Sequence, residues 1–136
     1  MRTKAVLSLA DVNRVLDTAQ QAADAEGWQV AIAVVDDGGH PLGLRCLDGA
    51  APISGYIALE KARTAALGRR ESKNYEDMIN NGRTAFLSVP LLQGTLEGGV
   101  PIMVDDQCVG AVGVSGVQAA QDARAAKAGV DAVAND

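Results

Sequence analysis

The chain has 136 residues, with 12 basic and 17 acidic side chains and a net charge of −5, which is room for one domain. That balance excludes a basic stripe for nucleic acid or an anionic membrane surface, and no apolar run nears the roughly 20 residues of a bilayer span. A composition of 48% apolar and 21% charged residues excludes a disordered chain. Met1 to Leu9 carries Arg2 and Lys4 but no apolar block of signal-peptide length, so the expected location is cytoplasmic.

Ser8 is a good N-cap, with Asp11 as a weak capping-box partner. Leu9, Val12, Val15, Leu16, Ala19, Ala22 and Ala23 recur at helical spacing, and Gly27 is the natural stop. The first helix is therefore predicted over Leu9 to Glu26. Val30 to Val35 is continuously apolar and reads as a strand covered on both faces. Asp36-Asp37-Gly38-Gly39 is turn chemistry, and Leu42 to Leu47 completes a hairpin. After the loop Asp48 to Pro52, Ser54 is read as the cap of a helix running to about Leu67. Ser72 is read as the cap of a short helix around Tyr75 to Ile79, stopped by Asn80-Asn81-Gly82. Thr84 to Gly99 reads as a structured loop over the sheet. Val100 to Val104 and Cys108 to Ser115 read as strands around an Asp105-Asp106 turn. An alanine-rich helix over Ala119 to Val133 closes the chain, with Arg124 and Lys127 outward and Asn135-Asp136 as a frayed end. Hairpins between helices imply an α+β fold with an antiparallel sheet. Its edges are expected to be hidden by self-association.

His40 is the only histidine. It sits beside a Gly-Gly turn, either as a solvated turn residue or as an axial iron ligand or general base. Cys46 is either a small core residue or a soft ligand; Cys108 reads as buried structure. Cys46 and Cys108 match no paired metal or redox spacing, and no histidine-carboxylate cluster exists, so no protein-only metal site is expected. Gly110, Gly113 and Gly116 lie within a strand, which mismatches a dinucleotide fingerprint and suits close approach of a helix or ligand. Lys61 and Thr64 are three apart and share a helical face. If that face looks toward the Asp48 loop, a cation, a hydroxyl and a carboxylate converge on a small carboxylate or a haem propionate.

Three segments together carry a resemblance: Val34-Val-Asp-Asp-Gly-Gly-His40 with Asp48-Gly-Ala50, Ala58-Leu-Glu-Lys-Ala-Arg-Thr-Ala65, and Gly98-Gly-Val-Pro-Ile-Met-Val104 with Val109 to Gly116. In order and spacing the chain resembles the GlcG/HbpS family of haem-degrading domains, which includes the C-terminal domain of PduO-type proteins. The resemblance implies a profilin-like fold with a five-stranded antiparallel sheet, helices on its faces, and a homo-oligomer. It implies haem as the candidate cofactor, since some members bind it and some are linked to haem breakdown or redox sensing. Others accompany catabolic enzymes. Members often carry a basic residue two positions before the Asp of the D-G-A loop; here Cys46 stands there, with Arg45 one earlier. His40 and Cys46 are thus candidate ligands by their chemistry, not by carry-over.

Two functional expectations follow, beside a blander accessory-subunit role. In the first, an oligomer binds a small planar or carboxylate-bearing ligand, with haem as the candidate, near Lys61, Thr64, Asp48 and the Gly98-Gly99 loop. In the second, an enzyme acts on a small oxo or hydroxy acid. Lys61 then binds a carboxylate or polarises a carbonyl, Asp36 or Asp48 moves the proton, and backbone N–H groups meet an oxyanion.

Overall fold

A computed structural model describes residues 1–134; the expected frayed end, Asn135-Asp136, lies outside the described residues. Helix α1 spans Leu9–Glu26, as its spacing predicts. Its start is a complete capping box: Ser8 Oγ accepts the Asp11 N–H at 3.1 Å, and the Asp11 carboxylate accepts the Ser8 N–H at 2.8 Å. Those bonds hold the Asp11 carboxyl below its ordinary range. Replacing Ser8 with alanine should cost about 1 kcal/mol, read as a lower thermal midpoint at unchanged helix content.

Strand β1 is Ala31–Asp36 and β2 is Pro41–Cys46. Helices α2 (Ile53–Gly68) and α3 (Ser72–Asn80) follow, then a 3-10 turn at Thr84–Ser88. Strands β3 (Gly99–Val104) and β4 (Gln107–Ser115) form the second hairpin, and α4 (Ala119–Ala134) ends the described chain. Two of the expected serine caps are corrected. Pro52 occupies the cap position of α2, while Ser54 is buried inside the helix. Glu71 precedes α3, and the Ser72 hydroxyl is engaged elsewhere.

The described residues form one antiparallel sheet of four strands, order β2-β1-β4-β3, and not the five that the resemblance implied. The central strand β1 alternates in size. Ile32 and Val34 face α1 and α4, where they meet Val12, Val15, Leu16, Val112, Val114 and Val130. Ala31, Ala33 and Val35 face α2, against Ala58, Ala62, Ala65 and Ala66. Branched side chains thus fill the two-helix side, and methyl groups let α2 lie close on the other. Strand β1 is buried because helices cover both faces. Gly113 in β4 takes the approach of α2 directly, since a Cβ there would overlap the Ala58 carbonyl. No helix among the described residues is long and apolar enough to cross a membrane.

Candidate functional site

The fold gathers Lys61, Thr64, Gly98 and Gly99 at the junction of α2, β3, β4 and α4. Lys61 is 3% exposed and Asp122 is 2% exposed. The Lys61 ammonium donates to Asp122 Oδ2 at 3.1 Å and to the Val114 carbonyl at 3.0 Å. Asp122 Oδ1 accepts the Val117 N–H at 3.1 Å. Burial pushes the Asp122 carboxyl above its ordinary range, and the Lys61 charge and these hydrogen bonds oppose that shift. Gly98 is tight against the lysine: a Cβ there would come within 2.8 Å of Lys61 Nζ. Its φ of 131° is one that side-chain-bearing residues rarely adopt. Thr64 Oγ1 accepts the Gly94 N–H at 3.1 Å. Ser72 Oγ accepts the Gly99 N–H at 2.8 Å and donates to the Leu96 carbonyl.

The lysine–threonine face therefore looks toward Gly94–Gly99 and Asp122, not toward Asp48, which is exposed in the loop before α2. The carboxylate that meets the lysine is Asp122, which sequence reasoning missed. Its one sequence signal is position: Asp122 stands at helical spacing with Ala125, Ala126 and Gly129, an acid inside an otherwise small-residue buried stripe. In this arrangement the ammonium is held by protein partners and positions α2 against β4 and α4.

His40 and Asp36 form a second arrangement at the β1–β2 turn. Asp36 Oδ1 accepts the backbone N–H groups of Gly38 and His40, both at 2.9 Å, and lies 3.0 Å from His40 Nδ1. Burial pushes the Asp36 carboxyl up, but its bonds to His40 and Gly38 outweigh this, and the net shift is downward. An ionised carboxylate accepts only, so Nδ1 is the donor of this contact, and in the neutral ring that tautomer leaves the lone pair on Nε2. The His40 side chain is 77% exposed. Arg63 braces the turn, its Nε donating to the Gly39 carbonyl at 3.2 Å.

Cys46 is exposed at the other end of β2, beside Gly55. Six residues of extended chain put it about 20 Å from His40, so the two cannot ligate one iron atom within one chain. A cleft of about 530 Å³ opens at the turn end of the sheet, lined by Arg2, Lys4, Asp37, Arg69, Asp106 and Cys108 among others. It was not legible in the sequence because four separate stretches meet there. Lys4 pairs with Asp37 across it. The Cys108 thiol is buried and donates to the Gly110 and Ala66 carbonyls; burial pushes its pKa up, which disfavours thiolate chemistry. Among the described residues no group of three His, Cys, Asp or Glu side chains could hold a metal ion.

Comparison with known proteins settles the lineage. The family described as "Haem degrading protein HbpS-like" matches residues 7–131. The chain belongs to the HbpS-like family. Protein GlcG of Escherichia coli (strain K12) is 57% identical over 115 residues, 85% of either chain. A double mutant of Streptomyces reticuli HbpS, another HbpS-like structure, superposes with a TM-score of 0.89 at 27% identity, over 98% of this chain and 90% of that one. The crystal structure of a PduOC:heme complex superposes with a TM-score of 0.86 at 24% identity, over 95% of this chain and 96% of that one. At that identity it shares the HbpS-like fold, and the haem is that protein's own.

Proposed function

We propose that this HbpS-like chain is a small-ligand-binding protein of the haem-binding class that works as a homo-oligomer in catabolism or redox response. The observation that carries the reading is the His40–Asp36 pair. A largely exposed histidine whose Nδ1 is held by a carboxylate has the second-shell arrangement of a metal-ligating imidazole. His40 is the residue that would hold a haem iron, and bound haem would supply a redox-active centre there. Asp36 fixes the ring and raises its donor strength. The HbpS-like relatives support the ligand class, as does the haem in the PduOC complex.

The turn is an open surface, and a haem needs apolar walls on both faces. That favours an oligomer in which another copy completes the enclosure. Lys61, Thr64, Gly98 and Gly99 serve this reading as the scaffold that fixes α2, whose Arg63 braces the histidine turn.

Adding hemin to the purified protein should give a shifted Soret band that saturates. His40→Ala should remove the shift, Asp36→Asn should weaken binding about 10-fold or more, and Cys46→Ala should leave it unchanged. A wild-type spectrum from His40→Ala would rule out this ligand, and no shift from the wild type would rule out haem.

A further inference from the structure

We propose that the cleft at the turn end of the sheet is a binding site for a small organic carboxylate, held by Arg2 and Arg69. This goes beyond the haem reading and needs neither haem nor a second copy. Of the chain's 12 basic residues, eight lie within ion-pair distance of a carboxylate. Arg70 and Arg83 lie over the Tyr75 and Phe86 rings. Only the guanidiniums of Arg2 and Arg69 have neither kind of partner among the described residues, and both line this one cleft of about 530 Å³. A lone solvated arginine is ordinary. In a chain of net charge −5, however, acids are in excess. Two guanidiniums left without one at the same concavity mark a place where an anion from solution completes the pairing.

Both walls of the cleft are held in place. The segment that carries Arg2 is pinned by the Lys4–Asp37 ion pair and by Leu7, which packs against the core beside Gly110. A Cβ on Gly110 would come within 2.8 Å of the Leu7 side chain. On the other wall Arg69 caps α2 from the left-handed region, with φ 54° and ψ 38°, a position that glycine usually takes. Its backbone N–H bonds to the Ala66 carbonyl, which fixes where the side chain starts. A long charged side chain kept at such a position despite the strain is accounted for by a role in the cleft that it lines.

The charges in the lining select the ligand. Lys4 neutralises Asp37, so two guanidiniums face one remaining carboxylate, Asp106. A surplus of one positive charge suits a monocarboxylate better than a doubly charged phosphate, and the planar guanidinium fork matches the two oxygens of a carboxylate. Asp106 repels a second anionic group and can accept a hydrogen bond, so the favoured ligand carries a hydroxyl or ammonium donor beside its carboxylate. Cys108 is the one thiol in the lining. It donates to the Gly110 and Ala66 carbonyls, so the cleft is built for binding and not for thiol attack.

The test is titration of the isotope-labelled full chain with lactate, with its uncharged counterpart lactamide and with inorganic phosphate. Amide NMR shifts are read against sodium chloride at matched ionic strength. Lactate should give saturable shifts at residues 2–4, 66–69 and 106–108, while lactamide and phosphate should give no more than the salt does. Arg2→Gln and Arg69→Gln should each weaken lactate binding about 10-fold or more. Arg69→Gly separates the site from the scaffold. It relieves the left-handed strain, so its thermal midpoint should match or exceed that of the wild type while lactate binding falls as in Arg69→Gln. Lactate shifts no larger than those of the salt, lactamide or phosphate binding as tightly as lactate, or wild-type affinity in Arg69→Gly would each overturn the proposal. The hemin titration reads His40 and a different spectrum, so either reading can fail without the other.

Discussion

Substituting Lys61 by methionine should cost about 3–5 kcal/mol, the usual penalty for removing one partner of a buried ion pair. The chain length and apolar volume are kept, so the loss comes from Asp122, which remains buried with only the Val117 N–H as partner. Chemical denaturation should show the midpoint falling at unchanged slope. The double variant Lys61→Met/Asp122→Asn should recover part of the loss, because the amide oxygen still accepts the Val117 N–H and no charge is left behind. The pH dependence has a definite sign. Burial already holds the Asp122 carboxyl above its ordinary range against the opposing Lys61 charge, and removing that charge raises it further. A group whose folded pKa is raised stabilises fully below its unfolded value, and that contribution is lost as pH rises through the folded pKa. The gap between wild type and Lys61→Met should therefore narrow in acid and widen toward neutral pH. Equal gaps at pH 5 and pH 7.5 would show that Asp122 is not the group left uncompensated.

Gly113→Ala is the second large effect. A methyl group at this position in the central strand β4 would overlap the Ala58 carbonyl and crowd the Ala62 backbone nitrogen and methyl group. Backbone cannot step aside as a flexible side chain can, so α2 must lift from the sheet. The expected cost is about 3 kcal/mol, the upper range for overpacking, with α2 losing hydrogen-exchange protection first. Gly27→Ala is the informative contrast. Gly27 has open space around it and a φ of 72°, so its alanine variant should cost only about 1 kcal/mol through backbone strain. If the two variants melted together, α2 would not be seated on Gly113 as described.

The sequence was most readable where the determinants are local. Helix α1 could be bounded at both ends because Ser8, Asp11 and Gly27 act within four residues of themselves. The Asp105-Asp106 turn was legible for the same reason; both residues adopt positive φ. Ser54 misled because a serine before an apolar run looks like a cap, while its actual burial depends on the sheet beneath it. The strand count failed differently: five strands came from resemblance, not from any fifth β-pattern in the residues. At the candidate site, Lys61, Thr64, Gly98 and Gly99 could be grouped from segment chemistry. Asp122 could not, because 61 residues separate it from its partner. The His40–Asp36 contact spans only four residues, yet its meaning rests on which imidazole nitrogen the turn leaves open.

The sheet order has a consequence for how the chain is made. Strand β1 lies between β2 and β4, and the β4 partner arrives some eighty residues later. Asp122, which neutralises Lys61, is later still. A nascent chain on the ribosome can close its first hairpin early, but its middle strand keeps one open side until synthesis is nearly over. Such late, long-range closure slows folding and leaves a sticky intermediate. Truncation before residue 107, which removes β4 and α4, should therefore yield aggregation rather than a smaller folded unit.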